Sequence, residues 1–499
     1  MTWPSVAGEG QALERRAFSL GTANAIDFAL QFVLPIVLTR ALDPEDFGRY
    51  RLLWLAVSTL MVAPLFMPQS LYYFLPRSDR PTQRLYINQT LIFLVAVGLL
   101  AAWALSEWNP FLPRSLAALA AGEVPLVPLF VLLWLVASLL DLLPTVDERV
   151  GWQARAIVGL SLLRTMALGG AAAATHDFVA VLWTLVGFTV FKLALLAAYV
   201  AFHHGLGGPL ARRATFAEQI RHAAPFGFAG TLYGLRAQAD QWVAAALFPV
   251  ALFASFSIAA VLGPMVNLFR QSVNHVFLPS MSRLHSAGDF KAMLELNSRA
   301  NAMVALLVYP LLAFAFVFAE PLIALVYTPT YLAGAPVLRV YIVGLIAFVV
   351  ELNSILLLLK QGGFSMRVNG VALALSVALS VWGALNFGLM GAALGSVAMI
   401  HLERIVSLRR IARLTGEPVS RLQDWNKLAA LALASALAGA VAHFIANAWS
   451  APAFATVATG AGFMALAYPA ALCLTGQRPL VTGLFHSLAA TEAAPSGHP

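Results

Sequence analysis

The sequence predicts an all-α polytopic membrane protein with about fourteen transmembrane helices, and three observations predict it. Only 11% of its 499 residues are charged while 60% are hydrophobic, against about 25% charged in ordinary soluble domains. So few charges cannot solvate a surface in water, and lipid must be the main solvent; the mean hydropathy of +0.80 agrees. Fourteen apolar stretches are long enough to cross roughly 30 Å of hydrocarbon. Threaded through a bilayer, those stretches sort the basic residues to one side.

The stretches run at about 17–39, 51–75, 86–106, 124–146, 153–175, 178–202, 223–248, 250–277, 297–319, 334–359, 366–388, 389–411, 428–449 and 453–475. The 389–411 stretch is the least apolar, because its second half is basic. Residues 1–16 end in Glu14-Arg15-Arg16 and hold no apolar run of their own, so the first helix is expected to act as an uncleaved start-transfer segment. With the N-terminus in the cytoplasm, twenty-two of the 31 Lys and Arg residues lie on the cytoplasmic side. Arg40, Arg49, Arg51, Arg114 and Arg339 lie opposite, and Arg164, Lys192, Arg236 and Arg270 lie inside spans. A missed helix would scramble this alternation downstream, so the asymmetry predicts an even count with both termini cytoplasmic. Trp103, Trp108, Trp152, Trp425 and Trp449 fall near span ends, where amphipathic rings anchor at headgroup depth.

Internal echoes divide the chain. Phe74-Leu75-Pro76 closes the second span as Phe277-Leu278-Pro279 closes the eighth. Leu42-x-Pro44-x-x-Phe47-Gly48-x-Tyr50 follows the first span, and Leu247-x-Pro249 with Phe253-Ala254-x-Phe256 follows the seventh. Arg149-x-Gly151 ends the fourth span as Lys360-x-Gly362 ends the tenth. Equivalent spans are six helices apart, so both copies enter the membrane in the same sense, a parallel repeat. The expected organisation is a cytoplasmic segment 1–16, a six-helix lobe 17–203 and a cytoplasmic linker 204–222. A second six-helix lobe 223–413, a cytoplasmic loop 414–427, a C-terminal helix pair 428–475 and a disordered cytoplasmic tail 476–499 follow.

The run Leu38-Thr39-Arg40-Ala41-Leu42-Asp43-Pro44-Glu45-Asp46-Phe47-Gly48-Arg49-Tyr50 resembles the opening of the polysaccharide transporter family, the oligosaccharide or O-antigen flippases. That family belongs to the multidrug/oligosaccharidyl-lipid/polysaccharide exporter superfamily. The resemblance implies two six-helix bundles in a V around a central cavity, in a bacterial inner membrane. It implies a flippase that moves an undecaprenyl-diphosphate-linked oligosaccharide by alternating access, for lipopolysaccharide or exopolysaccharide assembly. It also implies a monomer, with a polysaccharide polymerase or assembly machinery as partner. Some relatives with fourteen helices use the last two to form a groove for the lipid tail. The second lobe departs from the pattern, since the turn after the seventh span lacks both the Gly-Tyr pair and all charge.

Ionisable residues inside spans are costly and face protein or water. Arg164, Lys192, Arg236 and Arg270 are the candidate substrate-binding cations, because an Arg or Lys cluster returns to a diphosphate the charge stabilisation that it loses on leaving water. The competing role is local pairing, above all of Arg236 with Asp240 four residues on. Asp27, Asp240 and Glu351 are the ion-coupling candidates, with Asp141 nearer a span end; a salt bridge to one of the cations competes for each. Asp27 shares its helix with Thr22, Asn24 and Gln31, a polar face toward water. Pro35, Pro64, Pro68, Pro225, Pro264 and Pro310 interrupt spans, where neighbours or cavity water can satisfy freed carbonyls.

His203, His204, His222 and His401 read as headgroup-level residues rather than ligands. Cys473 is the only cysteine, and no Cys/His spacing suits a metal. No cofactor is expected. Basic residues scattered over short loops suit lipid headgroups rather than nucleic acid. There is no phosphate-binding lysine loop and no nucleophile–His pair, so no enzyme is expected. A drug/cation antiporter of the same superfamily is the alternative, though acids rather than cations should dominate its cavity. A saccharide polymerase or ligase would need a sizeable outward loop, and the longest here is about 107–123.

Overall fold

The computed structural model describes residues 6–110, 116, 126–205, 207–448 and 452–476. Trp449, Arg114, Arg478, most of the 107–123 loop and the tail after Gly476 lie outside the described residues. Among the described residues every regular element is helical. In chain order these are α1 Val6–Ala41, α2 Pro44–Val62, α3 Phe66–Phe74, α4 Arg80–Ala104, α5 Leu126–Ala137, α6 Leu143–Val146, α7 Val150–Thr175, α8 Phe178–His203 and α9 Arg213–Leu247. There follow α10 Val250–Ala259, α11 Leu262–Ser286, α12 Phe290–Val317, α13 Ala319–Val326, α14 Gly334–Phe348, α15 Asn353–Leu358, α16 Gly362–Ala392, α17 Leu394–Thr415, α18 Trp425–Asn447 and α19 Ala453–Leu474.

Helix occupies all fourteen stretches read from the sequence, but not all as intact spans. Among the described residues ten helices are long and apolar enough to cross a membrane, or eleven if α2 and α3 count as one span bent by 44°. Pro64 sits in that bend, where its missing N–H already costs a ladder bond. Three stretches fall short for physical reasons. In α9 the polar run Arg236, Gln238, Asp240 and Gln241 dilutes the apolar character. The 334–359 stretch breaks at 349–352, leaving the 15-residue α14. In α17 Glu403, Arg404, Arg409, Arg410 and Arg413 crowd one helix.

Helix ends follow local chemistry. Asp43 accepts the Asp46 N–H at 2.8 Å and Pro44 opens α2, a side-chain cap before a residue that lacks the donor. Asp177, Asp289 and Asp424 cap α8, α12 and α18 in the same way. Gly388, with φ of 64°, kinks α16 at the boundary expected between the eleventh and twelfth stretches.

The repeat appears in the backbone at one turn. Glu148 (φ 60°) and Lys360 (φ 57°) are both left-handed, each two residues before the next long helix. After each, the next N–H reaches back five residues: Arg149 to the Pro144 carbonyl and Gln361 to the Leu356 carbonyl, both at 2.8 Å. This is the Schellman pattern that closes a helix. Glu148, rather than Arg149, therefore matches Lys360, a one-residue correction to the sequence echo. The preceding spans also both break, through the 3₁₀ turn Ser138–Asp141 before α6 and at 349–352 before α15.

The chain forms two compact units, Met1–Gln238 with Ala245–Ala254, and Ala239–Ala244 with Ser255–Pro499. In the first, Leu71, Phe74, Ile87, Leu94, Leu139, Leu143 and Leu196 form a buried core between α3, α4, α6 and α8. In the second, α18 presents Ala434, Ala438, Ala442 and Ala446 at four-residue spacing, and Phe318 packs into the small-residue stripe between α18 and α19. Small side chains let helices approach closely where lipid supplies no hydrophobic drive.

Within the first unit Gly48 packs on the opening of α10, where a Cβ would strike the Val250 carbonyl oxygen. Gly48→Ala should therefore lower the thermal unfolding midpoint in detergent, through an overpacking cost of about 1–3 kcal/mol. Gly21→Ala, with nothing within 4 Å of its Cβ, should not. Equal midpoints for both variants would remove the close approach as a constraint.

Candidate functional site

Within the first unit, α1, α7, α8 and the broken end of the fourth span enclose a cavity of about 220 Å³. On α7 the residues Gln153, Ile157, Leu160, Ser161 and Arg164 recur at three- and four-residue steps, so one helix face supplies a wall. Asp27 and Gln31, one turn apart on α1, supply another. Asp141 enters from the 3₁₀ turn before α6, and Phe188 and Lys192 from α8.

Two carboxylate–cation pairs face this space. Arg164 Nη2 stands 3.3 Å from Asp27 Oδ1, which also accepts the Ser161 hydroxyl. Gln31 Nε2 donates to Asp27 Oδ2 at 2.7 Å, so both oxygens of that carboxylate are engaged. Lys192 Nζ donates to Asp141 Oδ2 at 2.7 Å and lies 4.8 Å from the Trp134 ring centroid. The second pair is asymmetric: the Lys192 side chain is 5% exposed and that of Asp141 57%. A buried ammonium depends on its carboxylate far more than a solvated carboxylate depends on the ammonium. Gln153 Nε2 holds the Asp141 carbonyl at 2.9 Å, satisfying an acceptor freed by the helix break.

The other expected residues lie elsewhere. Arg236 is buried on α9, its guanidinium 5.4 Å from the Tyr233 ring centroid, and is not a wall of this cavity. Arg270 and Glu351 pair in the second unit, with Arg270 4.4 Å over the Phe348 ring. Glu351 occupies the break between α14 and α15: its N–H donates to Asn301 Oδ1 at 2.9 Å and its carbonyl accepts Asn297 Nδ2 at 3.1 Å. Asp240, 2% exposed, accepts the Tyr341 hydroxyl at 2.7 Å, and no Lys or Arg pairs with it among the described residues. Its partner is thus a tyrosine 101 residues away rather than the cation one turn back. Sequence reasoning missed Tyr341, Ser161, Gln153, Asn297 and Asn301. The Asn pair at four-residue spacing inside an apolar helix, and Ser161 three residues before Arg164, were signals that could have found them.

A family profile described as "Polysaccharide biosynthesis protein" matches residues 37–336. No curated protein matches. Among solved structures, the lipid II flippase MurJ in an inward closed conformation is similar over 93% of this chain and 99% of its own, with TM-score 0.68 and 12% identity. An inward-facing multidrug resistance MATE family transporter of the MOP superfamily is similar over 80% and 99%, with TM-score 0.60 and 13% identity. A mutant of the Vibrio cholerae MATE transporter VcmN is similar over 83% and 98%, with TM-score 0.54 and 11% identity. At such identities the shared property is the fold.

The asymmetric pair makes a direct prediction for stability in detergent. Asp141→Asn strands a buried ammonium and should cost about 3 kcal/mol. Lys192→Met strands a carboxylate whose side chain is more than half exposed and should cost about 1 kcal/mol or less. The reverse order in thermal or denaturant unfolding would contradict the geometry.

Proposed function

This chain belongs to the polysaccharide biosynthesis protein family, and on that premise we propose that it is a flippase for an undecaprenyl-diphosphate-linked oligosaccharide. It moves its cargo across the bacterial inner membrane by alternating access, with both termini cytoplasmic, in the service of surface polysaccharide assembly. The observation that carries the reading is the first-unit cavity, where Arg164 and Lys192 face one space inside an apolar helical unit. A diphosphate needs charged donors to replace its lost hydration, and a guanidinium can grip it bidentately. One structural relative is named for flipping lipid II, which supports a lipid-borne cargo.

The paired carboxylates supply the release step. In the empty carrier Asp27 and Asp141 neutralise the two cations; an arriving diphosphate takes their place. Asp27 then loses its cation, and a coupling ion at Asp27 compensates for that loss. Asp240 serves as a second coupling group: a buried carboxylate with a tyrosine but no cation needs a proton or a small cation to offset its desolvation. Glu351 is the coupling group that Arg270 restrains. The carrier works as a monomer beside a polysaccharide polymerase.

A drug/cation antiporter is the competing reading, favoured by Asp240 alone. Deletion of the gene separates the two: accumulation of an undecaprenyl-linked saccharide in the inner leaflet supports the flippase, and sensitivity to cationic drugs with normal surface polysaccharide overturns it. In reconstituted vesicles Arg164→Ala should slow flipping about tenfold, the weight of one charge-assisted hydrogen bond, with membrane insertion intact. Unchanged export in Arg164→Ala would sink the cationic site. Asp27→Asn and Asp240→Asn should abolish dependence on the ion gradient; a rate that still follows the gradient would make both residues structural.

A further inference from the structure

The second unit carries another cavity, of about 350 Å³, lined by none of the charged residues of the candidate site. It lies where α12 and α18 begin, against the 3₁₀ turn Val419–Arg421. Lys291, Glu295 and Arg299 line it from one face of α12, and Arg421, Gln423 and Asp424 from the segment leading into α18. Asp424 also fastens the two walls, its N–H donating to Ser298 Oγ at 2.8 Å.

Gln423 is the buried polar side chain among the walls. It is 3% exposed, yet its Nε2 has no hydrogen-bond partner among the described residues. The orientation follows from a chain of donors and acceptors. The backbone N–H of Glu351 donates to Asn301 Oδ1, so Asn301 presents Nδ2, which donates to Gln423 Oε1 at 3.1 Å. Gln423 is left with its amide N–H group to offer, and a buried donor without an acceptor is destabilising. An acceptor belongs there.

The lining charges define the rest of the ligand. Lys291, Arg299 and Arg421 are balanced by Glu295, Glu417 and Asp424, and only Arg421 and Glu417 pair, at 3.9 Å, among the described residues. A purely anionic ligand would meet three carboxylates, whereas a zwitterion uses both sets. The walls hold no aromatic ring, so they offer no cage for a quaternary ammonium. Carboxylates instead accept from a primary ammonium, which has three N–H donors. The depth points to lipid: both helices that start here are apolar enough to span, and Trp425 opens α18 with its indole N–H held by the Val419 carbonyl at 3.0 Å. An anchored Trp at a span end sits at headgroup level.

We propose that this cavity binds the headgroup of an amine-bearing phospholipid, the phosphate meeting Gln423, Arg299 and Arg421 and the ammonium meeting Glu295 and Asp424. The test titrates the purified full chain with phosphatidylethanolamine, phosphatidylglycerol or phosphatidylcholine and counts retained lipid by native mass spectrometry. The wild type should retain phosphatidylethanolamine about tenfold more tightly than the other two. Gln423→Leu and Arg421→Ala should each remove most of that preference. The Arg421 side chain is 75% exposed, so its loss leaves the fold intact if the Gln423 variant fails to fold. Equal retention of all three lipids, or a preference unchanged in Arg421→Ala, overturns the proposal. Displacement by free phosphoethanolamine at the same concentration as by the lipid would also overturn it, in favour of a soluble ligand.

Discussion

The cost of carrying charge through a low-dielectric layer governs this molecule. Asp27, Asp141 and Glu351 interrupt helices that otherwise read as lipid-solvated, and each has a cation brought to it from another helix. None of those pairs is local: Arg164 lies 137 residues from Asp27 and Lys192 lies 51 from Asp141. The pairs therefore act as pins between helices. They fix the rotation of α1 against α7, and of α8 against the broken fourth span, as apolar packing alone would not, since neighbouring lipid tails are as apolar as leucine.

The same constraint explains where the backbone departs from helix. The fourth and tenth spans break, and an acid sits in or beside each break, Asp141 in one and Glu351 in the other. Freed carbonyls and amides at that depth need partners, and they find amide side chains: Gln153 in the first unit, Asn297 and Asn301 in the second. Both breaks run into the same left-handed turn, at Glu148 and Lys360. These polar collars let the helices break at that depth without leaving bare backbone groups.

What could be read from the sequence was whatever one helix reveals about itself. Apolar length located the fourteen helical stretches, whereas the ends set by Asp43-Pro44, Asp177 and Gly388 through capping and backbone freedom emerged only in the structure. Apolar length does not reveal a break such as 349–352, where no Gly or Pro intervenes, so ten or eleven of the fourteen stretches are long, apolar helices among the described residues. The repeat was off by one residue for a related reason: Glu148 and Lys360 take a conformation normally signalled by glycine, so composition hid the matching position. The hydrogen bond from Tyr341 to Asp240 could not be read from spacing, which relates Asp240 only to neighbours on its own helix such as Arg236, whereas Tyr341 is reachable only after α14 packs. Spacing specifies which residues share a face, not which neighbour that face meets.

Electrostatics also limits how a carrier with such pairs can work. An empty site whose cations are already neutralised by carboxylates crosses the membrane at low cost, and so does a loaded site whose cations are neutralised by a diphosphate. The transition between them leaves carboxylates without cations in a medium that penalises bare charge. Asp141, more than half exposed, can pass its share to water. Asp27 cannot do so as easily, since its oxygens are held by Ser161 and Gln31 and its side chain is 28% exposed. Under the proposed mechanism, cargo binding at Arg164 and neutralisation of Asp27 by a coupling ion are therefore linked by charge balance, and an ion gradient can bias the direction of transport.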